Sequence, residues 1–131
     1  MATFKTLEEI IVWQKARAFC KEVKKDAPLY IALKEFSLLN QLKDSSGSCM
    51  DNIAEGFGRM GNAEFKNFLS IAHGSILESV SQLYRSFDYE VIQEERFLYM
   101  KEKAYEIARM LESLVGHLLN SDLKGIKYVR K

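Results

Sequence analysis

Apolar residues recur every three or four positions in four stretches of this chain. Nowhere do apolar and polar residues alternate over the length of a strand. That pattern restricts the chain to amphipathic helices. Thr6-x-x-Glu9 reads as a capping box, because a Thr hydroxyl and a Glu three residues later can each satisfy a free amide of the other. Ile10, Trp13, Ala16, Cys20 and Val23 then form a stripe, and a first helix is predicted over residues 7–26, stopping before Pro28, the only proline. A second helix is predicted over 35–57, with Leu39, Leu42, Cys49 and Ile53 inward. Gly56, Gly58 and Gly61 mark its end as residues suited to left-handed backbone. Asn62 is a good N-cap for a third helix over 63–87, whose core face is read as Phe65, Phe68, Leu69, Ala72, Ile76, Leu83 and Phe87. A fourth helix is predicted over 94–120 through Phe97, Met100, Ala104, Ile107, Leu111, Leu114 and Leu118, and a basic tail over 121–131. Short connections between four helices predict an all-α, up-down-up-down antiparallel four-helix bundle, with residues 1–131 as a single domain.

At 131 residues and 47% apolar content the chain is long enough to bury one core, and wholesale disorder is excluded. A net charge of +1 gives no global pull toward nucleic acid or an anionic membrane. Lys5, Glu8 and Glu9 break the N-terminus before a leader-like apolar stretch forms, and no uncharged run approaches the ~18 residues of a membrane span. Two cysteines, Cys20 and Cys49, fit a reducing compartment, so a cytoplasmic protein is expected, without a membrane partner.

Gly56-x-Gly58-x-x-Gly61 matches a dinucleotide fingerprint in letters, with Glu78 at a suitable distance. That motif turns a strand into a helix under a pyrophosphate, whereas helix precedes it here. Neither His73 nor His117 has a Glu three residues before it, as a bundle di-iron site requires. Antiparallel pairing places His73 near Arg109, and places Cys20 opposite Leu42 rather than Cys49. Asp51 and Glu55 share a helix face, but acid–base catalysis also needs a pocket and a complementary group, and the pair is read as one solvated carboxylate and one hydrogen-bonded to the bundle. The expectation is a non-enzyme with no cofactor, no metal and no small-molecule substrate.

The middle of helix 2 is unusual: Ser45, Ser46, Gly47 and Ser48 stand where stronger helix formers belong. Antiparallel pairing puts Ser45 opposite Ser75, Ser46 opposite Gly74 and Ser48 opposite Ala72, a seam of small residues between helices 2 and 3. Asn52, Glu55 and Glu78 flank it, with Gln41 and Arg59 as the nearest partners. The seam residues singled out are Ser48, Asn52, Glu55, Gly56, Arg59, Gly74, Ser75 and Glu78.

These residues carry a resemblance. Ile11-Val12-Trp13-Gln14-Lys15-Ala16, Ser48-x-x-x-Asn52-Ile53-Ala54-Glu55-Gly56-x-Gly58-Arg59 and Glu64-Phe65-x-x-Phe68-Leu69-x-Ile71-Ala72-x-Gly74-Ser75-x-x-Glu78 resemble the bacterial four-helix-bundle family encoded in intervening sequences of large-subunit ribosomal RNA genes. The match runs from about Phe4 to Leu119. It implies a cytoplasmic, ring-forming bundle, a homopentamer, of undefined cellular role and with no catalytic residues to transfer. A related branch, the accessory variability determinant of diversity-generating retroelements, accompanies a reverse transcriptase and binds nucleic acid through a strongly basic surface. This chain departs from that branch in its near-neutral charge.

Two functions follow as expectations. The first is a homo-oligomeric interaction or scaffold module, its interface read from apolar residues outside the core stripes: Val12 and Phe19 on helix 1, and Leu77, Val80 and Tyr84 on helix 3. The second is an RNA- or DNA-binding accessory, with Arg59, Lys124, Lys127, Arg130 and Lys131 as contacts.

Overall fold

A computed structural model describes the backbone of residues 4–129 and the side chains of residues 4–120. A 3-10 turn, Leu7–Glu9, leads into four helices: α1 Ile11–Ala32, α2 Phe36–Gly58, α3 Asn62–Asp88 and α4 Glu94–Val129. Among the described residues there is no strand. The helices pack as a bundle around one core in which Ile53, Leu69, Ile76, Leu83, Met100 and Leu111 are fully buried.

The helical pattern gave the elements, and their ends needed correcting. The Glu9 carboxylate accepts the Thr6 amide at 3.0 Å, but this closes only the 3-10 turn. Ile10 is extended and α1 proper starts at Ile11. At its other end α1 does not stop at Asp26. It continues through Pro28 to Ala32, burying Ala27 and Tyr30. Pro28 lies on the solvent side, where its ring removes one amide donor without disturbing the core. Arg96 of α4 braces this region, with Nε to Asp26 at 3.0 Å, Nη1 to Glu22 at 3.1 Å and Nη2 to the Glu22 carbonyl at 3.2 Å.

The left-handed turns also fall elsewhere than expected. Among the described residues no glycine has positive φ; Lys34, Met60 and Glu90 do. At the end of α1 the Glu35 amide returns to the Tyr30 carbonyl at 2.9 Å and that of Lys34 to Ile31 at 3.0 Å, a Schellman closure around Lys34. The end of α3 repeats it around Glu90, with Val91 to Ser86 at 2.9 Å and Glu90 to Phe87 at 3.0 Å. Gly56 instead serves packing. A Cβ there would stand 2.7 Å from Phe68 Cβ and 3.1 Å from a Phe65 ring carbon, so α2 and α3 approach closely where the chain turns. Finally, α4 runs on through much of the stretch read as a tail, as far as Val129.

Candidate functional site

The seam between α2 and α3 is real, and its register is shifted. Ser45 Oγ meets Ser79 Oγ at 2.7 Å and donates to Gln82 Oε1 at 2.5 Å. Ser48 Oγ meets Ser75 Oγ at 2.9 Å. Asn52 closes that end of the seam, donating to the Ser48 carbonyl at 2.8 Å and its hydroxyl at 3.0 Å. Toward the other end, Ser86 donates to the Gln82 carbonyl at 2.8 Å and accepts the Tyr30 hydroxyl at 2.7 Å. Ser45, Ser75, Ser79, Gln82 and Ser86 are buried and every one of them has a partner, as buried polar groups require. Ser79, Gln82, Ser86 and Tyr30 were missed from sequence. On α3 the signal available was the step of three or four residues from Ser75 to Ser79, Gln82 and Ser86, whereas Tyr30 reaches the seam from α1.

Several expected seam residues lie outside it. Ser46 turns back to the Leu42 carbonyl at 2.8 Å. Gly74 is exposed, with nothing within 4 Å of a Cβ placed there, and Glu78 is exposed too, so neither packs into the seam. Gln41 accepts from Arg85 through its carbonyl oxygen, and its amide nitrogen donates to Ser37 at 3.3 Å rather than to Glu55 or Glu78. Arg59 is occupied at the α2–α3 turn: its Nε reaches Glu55 at 2.9 Å, its Nη1 lies 3.8 Å from Glu64, and its guanidinium sits over the Phe68 ring. Beside this turn a cleft of about 540 Å³ opens between Phe4, Phe57, Met60 and Phe65.

The remaining titratable groups are scattered. His73 Nε2 lies 2.7 Å from Glu112, one turn beyond the expected Arg109. Cys20 hydrogen-bonds Ser46, and burial raises its pKa. Cys49 is fully buried, and burial pushes its thiol up to about 12, with a further rise from the nearby Cys20. Both thiols are free. Cys20 therefore opposes Ser46 and Cys49 rather than Leu42, because the longer α1 moves the turn. Glu106 Oε1 is buried without a hydrogen-bond partner, its nearest cation being Lys15 at 3.6 Å. Among the described residues no three His, Cys, Asp or Glu side chains gather to hold a metal, and no helix is long and apolar enough to cross a membrane.

The expected interface residues separate. Val12, Phe19 and Val80 are at most 5% exposed and belong to the core of a single chain, which overturns their reading as a second, outward stripe. Leu77 and Tyr84 are exposed. They lie on the α4 side of α3, where Tyr84 packs edge-on against Phe97, with ring centroids 4.9 Å apart, and meets Lys101. On α4, Leu98 and Tyr105 continue this surface at heptad spacing with Glu112, which reaches His73 on α3. Leu77, Tyr84, Leu98 and Tyr105, each 39–48% exposed, thus form an apolar band along the α3–α4 groove. Lys124, Lys127, Arg130 and Lys131 lie outside the residues whose side chains are described.

Fold and surface define an all-α four-helix protein with a satisfied polar seam. The model of the 23S rRNA-intervening sequence protein family matches residues 8–113, and the chain belongs to that family. The chain is similar to a crystal structure of a protein of unknown function from the S23 ribosomal protein family of Bacteroides thetaiotaomicron VPI-5482. The two share 28% identity and a TM-score of 0.74, over 79% of this chain and 97% of the other. No curated protein matches the chain.

Proposed function

We propose that this protein is a non-catalytic, self-associating four-helix bundle, with helices running up-down-up-down, that serves as an interaction module in the cytoplasm. The observation that carries this reading is the apolar band of Leu77, Tyr84, Leu98 and Tyr105. Isolated exposed apolar residues are ordinary, but a run of two aromatic and two aliphatic side chains along one groove fits an interface. Contacts between neighbouring helices support the topology, since Ser45 meets Ser79 while Ser48 meets Ser75, the falling order of antiparallel neighbours. Closure into a ring of five rests on the family resemblance. Light scattering over a concentration series tests the reading: a mass several times the 15.1 kDa chain is expected, and a stable monomer contradicts it.

A second reading, an accessory that contacts nucleic acid, is favoured by a specific observation. Arg59 is held by its carboxylates, yet Arg17, Lys21 and Lys24 on α1 are exposed and, among the described residues, unpaired. The relationship to the retroelement determinant belongs to this reading, and so does the family's connection with ribosomal RNA genes.

A further inference from the structure

The charge of α1 is sorted by side. Its two carboxylates, Glu22 and Asp26, face α4, where Arg96 binds both, and Lys25 pairs with Glu22 at 2.7 Å. Lys15 leans toward Glu106 on the same side. Arg17, Lys21 and Lys24 stand at i, i+4 and i+7 on the outward face, and among the described residues none of them has an ion pair. A shallow groove of about 290 Å³ runs beside the first two, between Gln14 and Ala18. Glu8 is the one carboxylate on its rim, and the Gln14 side-chain amide holds the Glu8 carbonyl.

We propose that the outward face of α1, carried by Arg17, Lys21 and Lys24, docks on the phosphate backbone of a nucleic-acid duplex. The assignment rests on the second reading above and gives it a location. Three cations span about 10 Å of helix axis, a length over which a duplex presents about six phosphates. Gln14, Ala18 and Pro28 between and beside them supply no long apolar side chain, and the exposed Ile31 on this face lies two turns beyond Lys24, so the stretch that carries the cations lacks the anchor of a protein interface and the wedge of a membrane-surface helix. The aromatic rings of this part of α1, Trp13 against the core and Phe19 inside it, offer no platform for an unpaired base, which favours a duplex over a single strand.

The test uses the full chain, with fluorescence polarisation on short labelled RNA and DNA duplexes and on the corresponding single strands. Duplex binding is expected at low salt. Neutralising three phosphates gives a salt slope of about 2.7, an affinity loss of about 40-fold between about 50 and about 200 mM salt. The triple variant Arg17→Gln, Lys21→Gln, Lys24→Gln should lose at least about tenfold in affinity at low salt and most of that slope. Its melting temperature and its mass by light scattering should be unchanged, because the three side chains are exposed. A second full-length variant, Lys124→Gln, Lys127→Gln, Arg130→Gln, Lys131→Gln, should retain most of the binding. Comparison of the RNA and DNA duplexes identifies which polymer the face accepts. Undiminished binding by the α1 variant, or loss confined to the tail variant, overturns the site while leaving the second reading standing. No binding to any nucleic acid overturns both. Tighter binding to single strands, or to vesicles containing an anionic lipid, overturns the duplex assignment.

Discussion

Gly56 and Gly74 show two different consequences of a glycine inside a helix. At Gly56 an added methyl would meet Phe68 Cβ at 2.7 Å, with the Phe65 carbonyl at 3.3 Å leaving little room to yield. Gly56→Ala should therefore destabilise the protein by about 1–3 kcal/mol, read from urea unfolding. Gly74 has open space around it, so the expectation that it lines a tight seam does not hold. Gly74→Ala should add about 0.5–1 kcal/mol through helix propensity alone. The buried thiol makes a further residue-level prediction. Cys49 titrates near 12 when folded, against an ordinary value of 9.0, so the folded chain favours the protonated form. That contribution is fully present below about pH 9 and is lost as pH rises toward about 12. Cys20 and Tyr30, both raised by burial, act with the same sign. Unfolding free energy should fall between about pH 9 and about pH 12, and fall less steeply in Cys49→Ala. An equal slope in the two proteins would contradict the assignment.

At the scale of elements, the four helices were legible because each carries an apolar stripe of helical period, and that stripe survives errors in the ends. The ends themselves were less legible. Pro28 signals a stop only if its side of the helix is buried or its neighbours lack support. Here it is exposed, and Arg96 grips the preceding turn through Glu22 and Asp26. Arg96→Ala should cost about 1.5–3 kcal/mol, as loss of charged hydrogen bonds does, and should raise amide exchange in residues 22–32 before the rest of the bundle. Equal exchange in that segment would show that α1 holds itself through the proline. Register was misread with one consistent sign. Ser45 meets Ser79 rather than Ser75, Ser48 meets Ser75 rather than Ala72, and His73 meets Glu112 rather than Arg109. Side chains lean toward the N-terminus of their own helix, so in an antiparallel pair the two partners each lie farther along the chain than level pairing of backbones suggests. That lean accounts for the direction of the shift. The seam was thus recognisable from Ser45, Ser48 and Asn52, while its α3 partners were named one turn too early.

For the molecule as a whole, the polar seam sets how the helices pack, and the apolar band lies outside that packing. A satisfied ladder from Asn52 through Ser48, Ser75, Ser79, Ser45 and Gln82 fixes how α2 sits on α3, since a one-turn slip would leave buried hydroxyls without partners. The outward band was only half legible. Leu77 and Tyr84 could be read from α3, but Val80 lies between them in sequence and inside the core in space, and Leu98 and Tyr105 come from another helix. A hydrophobic pattern on one helix does not say where its neighbour's shoulder begins. The central claim is that this band joins copies of the chain, and the double variant Leu77→Glu, Tyr105→Glu tests it most directly. Sedimentation velocity at matched concentrations, beside circular dichroism, should show wild-type oligomers converted to monomer with helicity and melting temperature nearly unchanged. Oligomers that persist in the double variant, or a variant that loses its helicity instead, would contradict the claim.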